Sequence, residues 1–147
     1  MFSKSTEYAL RATIFIAKKG TAERKLGIAE IAAAIDSPKS FTAKILQALT
    51  AGSKVVSSVR GPNGGFYLTE KAKKLPVRAI LVAMEESDVL EKCVLGLKAC
   101  SEVQPCPMHE EYKSIKKQLY KLFASKTIQQ LADDFKEGEI FIKSKKG

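Results

Sequence analysis

Three cysteines, Cys93, Cys100 and Cys106, fall within one short segment of a 147-residue chain, and the rest of the sequence has none. An odd number so tightly grouped makes a poor disulfide framework, and in a reducing compartment such grouping points to metal or redox chemistry. The pattern is Cys93-x6-Cys100-x5-Cys106-x2-His109, and His109 is the sole histidine. Structural zinc sites usually place cysteines in pairs two to four residues apart, so the two wide gaps argue against a zinc knuckle. A glycine-containing loop carrying three openly spaced thiolates can wrap a larger object, and an iron–sulfur cluster is such an object. Spacing alone leaves a cluster, zinc, and disulfide redox or inert thiols all open. His109 is a ligand candidate, with an exposed histidine at a helix start as the plain alternative. Matched nucleophile and base, a serine elbow or paired carboxylates do not stand out, so an enzyme is not expected.

Charge narrows the partners. Lysine and arginine number 25 against 16 aspartate and glutamate, a net charge of +9. An excess of this size favours polyanion partners, nucleic acid or an acidic membrane surface, with a merely soluble basic protein as the plain alternative. The apolar share of 45% without a low-complexity tract indicates a folded chain. No run approaches the roughly 18 to 20 apolar residues of a membrane span. Met1 to Glu7 lack a signal-peptide core, so a cytoplasmic protein is expected, with no membrane and no small-molecule substrate among its partners.

These residues need elements to hold them. Helical spacing predicts a first helix from about Thr6 to Lys19, capped by Thr6 or Ser3 and stopped at Gly20. A short second helix covers Ile28 to Ile35, with Ile28, Ile31, Ala32 and Ile35 on one face. Asp36-Ser37-Pro38 turns the chain, with Pro38 suited to the first helical position. A third helix runs to about Ala51 with Phe41, Ile45, Leu46 and Leu49 inward. Val55 to Arg60 and Phe66 to Thr69 read as strands around the turn Gly61-Pro62-Asn63-Gly64-Gly65. A linking helix is expected over Val77 to Glu85, the cysteine segment over Asp88 to His109, and a long helix over Glu110 to Ala124. A last helical stretch spans Thr127 to Phe135, and Lys143 to Gly147 looks frayed. The fold class is therefore mainly α with a small β-hairpin, in the order of a winged helix-turn-helix.

In that arrangement the second helix of the pair enters the major groove. The helix after Pro38 turns Lys39, Ser40, Ala43, Lys44 and Gln47 outward, and with Ser37 these are the candidate DNA-binding residues. Their positions near a helix N-terminus suit base edges or phosphates. A solvated polar face is the bland alternative. Arg60 stands directly before a tip of three glycines and one proline, with little bulk around it. An arginine presented so can enter a minor groove, where narrow A·T-rich stretches concentrate negative potential; otherwise it is a surface arginine beside a tight turn.

With these residues in view, the chain resembles the IscR/NsrR/CymR family of bacterial winged-helix transcription regulators, specifically its iron–sulfur branch. The resemblance runs from Tyr8-Ala9-Leu10-Arg11-Ala12 through Ile28-Ala29-Glu30-Ile31-Ala32 to the last helices. Its most specific piece is Ser58-Val59-Arg60-Gly61-Pro62-Asn63-Gly64-Gly65-Phe66-Tyr67-Leu68, which looks like the family's wing. The gap between Cys93 and Cys100 is one residue longer than in the IscR branch, and Gly52 to Val55 is also one residue longer than usual. The resemblance implies a homodimer on a double-stranded operator and one 2Fe–2S or 4Fe–4S cluster per protomer on Cys93, Cys100 and Cys106. His109 resembles the histidine ligand of IscR-like members, and Glu7 lies where NsrR-like members carry an acidic ligand donated across the dimer. Residues 1–76 would form the DNA-binding region, 77–109 the linking helix and cluster loop, and 110–147 the dimerisation helix and tail. The apolar spacing of Tyr112, Ile115, Leu119 and Leu122 independently suits a helix pair. Two rival functions remain: an interaction module that regulates a partner enzyme, and a zinc or thiol-redox winged-helix protein without a cluster.

Overall fold

The spine of the fold is helix α1 (Lys4–Lys19), whose apolar stripe of Ala9, Ala12, Phe15 and Ile16 is buried. The computed structural model describes residues 1–52, 55–97, 102–136 and 141–143. Of the two cap candidates, Ser3 caps α1: its Oγ accepts from the Thr6 backbone N–H at 3.2 Å. Thr6 lies inside the first turn and is fully buried. Gly20 ends the helix as expected, its N–H donating to the Ile16 carbonyl.

Helix α2 (Ile28–Ile35) buries Ile31, Ala32 and Ile35 against α1. It ends at Asp36, which adopts the left-handed conformation at φ 54°, while the Ser37 N–H reaches back to the Ala32 carbonyl at 3.0 Å. This closure satisfies carbonyls that the helix leaves open. Pro38 is the extended residue flanking the next helix rather than its first helical position. That costs nothing in hydrogen bonding, because a helix N-terminus leaves its first N–H groups without internal partners in any case. Helix α3 (Lys39–Thr50) directs Thr42, Ile45, Leu46 and Leu49 into the core. Phe41 is only half-buried, set edge-on to the Tyr8 ring at 5.5 Å. Gly52 follows in a left-handed conformation at φ 57°.

The hairpin is shorter than its β-branched sequence suggests. β1 (Ser57–Val59) pairs antiparallel with β2 (Gly65–Tyr67), in the register Ser57 to Tyr67 and Val59 to Gly65. Val55 and Val56 are buried in the core instead of extending the strand. Leu26 adds a rung on the other side, exchanging both backbone hydrogen bonds with Phe66 at 2.8 and 2.9 Å. That close approach explains Gly65, where a Cβ would lie 2.7 Å from the Leu26 carbonyl oxygen.

A short helix, α4 (Glu70–Lys73), follows under a Thr69 cap, and the sequence reading placed no helix there. Helix α5 (Arg78–Ala83) matches the expected linking helix and leads to a 3-10 turn at Ser87–Leu90. Helix α6 (His109–Ser125) is the long helix, and α7 (Ile128–Asp134) begins with the reciprocal Thr127–Gln130 capping box and packs on α1. Backbone hydrogen bonds from Val77 to Lys126 and from Ile128 to Leu75 bind the α6–α7 corner to the start of α5. Ile16, Ile31, Ile35, Leu46, Leu49, Ile80 and Ile128 are at most 1% exposed in one continuous core. Each such side chain contributes about 1.5 to 3 kcal/mol by leaving water. No helix among the described residues is long and apolar enough to cross a membrane.

Candidate nucleic-acid interface and thiolate site

The α2–α3 pair presents one continuous polar edge. Lys39, Ser40, Lys44 and Gln47 are exposed on α3, Ser37 and Ala43 are half-exposed, and the buried side of the same helix carries Ile45 and Leu49. The N-terminus of α3 points out of the fold at this edge, with Lys39 as its first residue. Unsatisfied N–H groups and a lysine at one spot favour phosphate. Behind them, the Arg11 guanidinium lies 4.5 Å over the Tyr8 ring, and Tyr8 in turn meets Phe41 of α3. The Arg11 Nη1 donates to the Ile35 carbonyl at 3.5 Å, so α1 braces both helices of the pair.

The wing carries Arg60 exposed, one residue past β1. Its tip is closed by the Gly64 N–H donating to the Gly61 carbonyl at 2.9 Å, with Gly61 at φ 105°. A Cβ on Gly64 would stand 2.1 Å from the Val59 carbonyl oxygen, so a side chain there requires the tip to open. At Gly64 the requirement for glycine is therefore steric.

Cys93 follows the 3-10 turn and is 5% exposed. The backbone N–H groups of Leu95 and Leu97 hydrogen-bond its sulfur and pull the thiol below its usual range, against burial, which raises it. The Cys106 side chain and the Gly96 N–H add to the lowering. Gly96 sits at φ 79°, which lets the chain curl its amides back toward the sulfur. The structure thus brings Cys93 and Cys106 into contact across 13 residues of sequence separation. Cys100 lies outside the described residues, as do residues 53–54 of the longer stretch before the wing and the tail from 144.

His109 begins α6, one residue earlier than expected, and is buried at 5% exposed rather than standing in solvent as a helix-start histidine would. Its backbone N–H donates to the Cys106 carbonyl at 3.0 Å, which ties the start of α6 to the backbone of that cysteine. Its Nε2 lies 3.4 Å from a Glu102 carboxylate oxygen, and Glu102 also meets the Lys113 ammonium. Lys113 and then His109 hold the Glu102 carboxyl below the usual carboxylate range. Glu102 was not anticipated, because a loop carboxylate carries no sequence pattern of its own. Glu7 is exposed on the first turn of α1, its N–H donating to the Ser3 carbonyl.

A Cys93 thiol set among backbone N–H donors, with the Cys106 thiol in contact and the buried His109 three residues beyond Cys106, offers a ligand set that fits a thiolate-bound metal group. Amide donors stabilise anionic sulfur, and ligating sulfur must be deprotonated.

The chain is similar to known proteins over most of its length. Residues 2–134 match the family model Rrf2, described as iron-dependent transcriptional regulator. An HTH-type transcriptional regulator of Aquifex aeolicus is 32% identical over 133 residues, covering 89% of this chain and 90% of its own. Among solved structures, CymR, the global cysteine regulator of B. subtilis, superimposes with a TM-score of 0.73 at 20% identity, covering 92% of this chain and 98% of that one. The T. potens IscR gives 0.69 at 17% identity, covering 95% and 91%. Winged helix-turn-helix, hairpin and trailing long helix are shared with these structures, and the chain belongs to the Rrf2 family of transcriptional regulators.

Proposed function

We propose that this regulator is a cytoplasmic homodimer that binds a pseudo-palindromic operator, and that its affinity is set by an iron–sulfur cluster on Cys93, Cys100 and Cys106. Ser37, Lys39, Ser40, Lys44 and Gln47 would contact the major groove and its flanking phosphates, and Arg60 the minor groove. The observation that carries the cluster is the lowered Cys93 thiol in its amide nest, touching Cys106, in a chain whose family is described as iron-dependent. When bound, the cluster supplies redox and ligand-exchange chemistry. The chain's part is to hold thiolates, limit solvent at Cys93 and place His109.

Dimerisation rests on α6. Ile115 and Leu122 are about half exposed and Leu119 is half-buried, at spacing i, i+4, i+7 along one stripe. The flank beside this stripe is already engaged: Phe123 meets Phe2 at 5.5 Å and the Arg78 guanidinium lies 5.5 Å over Tyr120. A second α6 is the natural cover for such a stripe.

For the fourth ligand, the buried His109 beside Cys106 favours imidazole. Glu7 is on another element, and its part would require the partner protomer. Reconstituted His109→Ala should show an altered visible spectrum and a shorter cluster lifetime in air, with Glu7→Ala close to the parent. The reverse pattern would assign the ligand to Glu7. The Cys93–Cys106 contact also favours a second reading, a thiol–disulfide switch without iron. Anaerobic protein holding iron and sulfide in matching amounts supports the cluster, and sulfide-free protein with a Cys93–Cys106 disulfide supports the second reading.

A further inference from the structure

Glu86 makes a contact that the DNA-binding and cysteine sites do not account for. Its carboxylate accepts from the Ser3 N–H at 3.1 and 3.2 Å, from the Ser3 hydroxyl, and from the Thr6 hydroxyl at 2.6 Å. The chain separation is 80 residues or more, and the donors are the cap and first turn of α1. A carboxylate at a helix N-terminus is favoured by the helix dipole. Yet α1 does not need Glu86 in order to start, because Ser3 Oγ already caps the Thr6 N–H. The additional bonds join two parts of the molecule.

What they join is specific. Glu86 immediately precedes the 3-10 turn Ser87–Leu90, Leu90 is buried, and Cys93 follows three residues later. At the other end, α1 packs against both α2 and α3 and braces α3 through Tyr8 and Phe41. The residue before the clamp, Glu85, adopts the left-handed conformation at φ 58°. That turn closes α5, with the Glu86 N–H returning to the Leu81 carbonyl at 2.9 Å, and it delivers Glu86 to the start of α1.

We infer that Glu86 is a positioning residue that registers the cysteine segment against α1, and so transmits a change at the thiolates to the helix pair that reads DNA. The inference rests on the cluster reading above. A change in the loop after Leu90 moves the segment that ends at Glu86. Because Glu86 grips Ser3 and Thr6, the first turn of α1 must follow or let go. Either response shifts the support of α3 at Tyr8.

The test uses the full-length protein and a duplex that the parent selects from a random library. Affinity is measured anaerobically, cluster-loaded and cluster-free, for the parent, Glu86→Ala and Glu86→Gln, with iron per chain recorded. Amide hydrogen exchange of the first turn of α1 is followed in the cluster-free forms. A parent difference of about 5- to 150-fold is the usual range for allosteric coupling. Glu86→Ala should reduce it to within about threefold, with iron per chain and helix content unchanged and first-turn exchange accelerated. Ser3→Ala should give a smaller change in the same direction. If Glu86→Ala does not fold, Glu86→Gln and Ser3→Ala, which retain acceptor oxygens and the buried Thr6, decide the matter by the same ratio. A parent difference that survives in the folded variants overturns this inference alone. A parent with no difference overturns both it and the cluster reading.

Discussion

Cys93→Ala should remove nearly all bound iron and sulfide from anaerobically prepared protein while leaving the DNA-binding fold in place. Losing a group that merely supports a metal ligand costs roughly 10- to 100-fold in affinity, and losing the ligand itself should cost at least that. Cys93 carries the largest expected effect because the Leu95, Gly96 and Leu97 amides all converge on its sulfur. With the sulfur gone, the Leu95 and Leu97 donors lose that acceptor, while the Gly96 N–H keeps the Cys93 carbonyl. Cys106→Ala should show a similar loss, since it removes the second thiol of the contact. Iron and acid-labile sulfide analysis, together with far-ultraviolet circular dichroism, separates loss of the site from loss of the fold. Parent-like iron in Cys93→Ala would remove that residue from the ligand set.

The second large effect concerns the wing. Arg60→Ala should weaken binding to an A·T-flanked operator by about 1 to 3 kcal/mol, roughly 5- to 150-fold, a typical cost for one specific contact. Arg60 is exposed at the end of β1, and its removal leaves the hairpin's bonds untouched. The expected loss is therefore in binding and not in stability. Lys44→Ala, on the solvent side of α3, should instead weaken all sequences evenly and reduce the salt slope by about one. Titrations at several salt concentrations distinguish the two. Parent-like affinity in Arg60→Ala would place the wing off the minor groove.

Much of the fold is legible in the sequence where periodicity is strong. Ile28, Ile31, Ala32 and Ile35 mark α2 to the residue, and the helical stretch expected over Thr127 to Phe135 is α7. Helix α4 is not legible, because Glu70–Lys73 is a single turn with one buried residue, too short for an apolar period to register. Val55 and Val56 look like strand residues, yet they serve the core, since burial outweighs β-propensity when no partner strand reaches them. The rung between Leu26 and Phe66 joins positions 40 residues apart, which no local pattern encodes.

The candidate sites divide in the same way. Residue types and spacing mark Cys93, Cys106, His109 and Arg60 as chemistry-bearing. Spacing does not show that Cys93 meets Cys106, that three amides face its sulfur, or that His109 is buried beside Glu102. Those depend on the turn at Gly96 and on where α6 begins. The Glu86 clamp is invisible for a further reason: Ser3 and Thr6 look sufficient as a local cap, and nothing near them signals a distant carboxylate.

The most direct test of the whole account is operator affinity of one anaerobic preparation before and after its cluster is removed by chelation, at fixed salt and protein concentration. The account predicts a change of about fivefold or more, reversed when iron and sulfide are restored. Equal affinity in the loaded and stripped forms, with iron and sulfide content confirming each state, would contradict it.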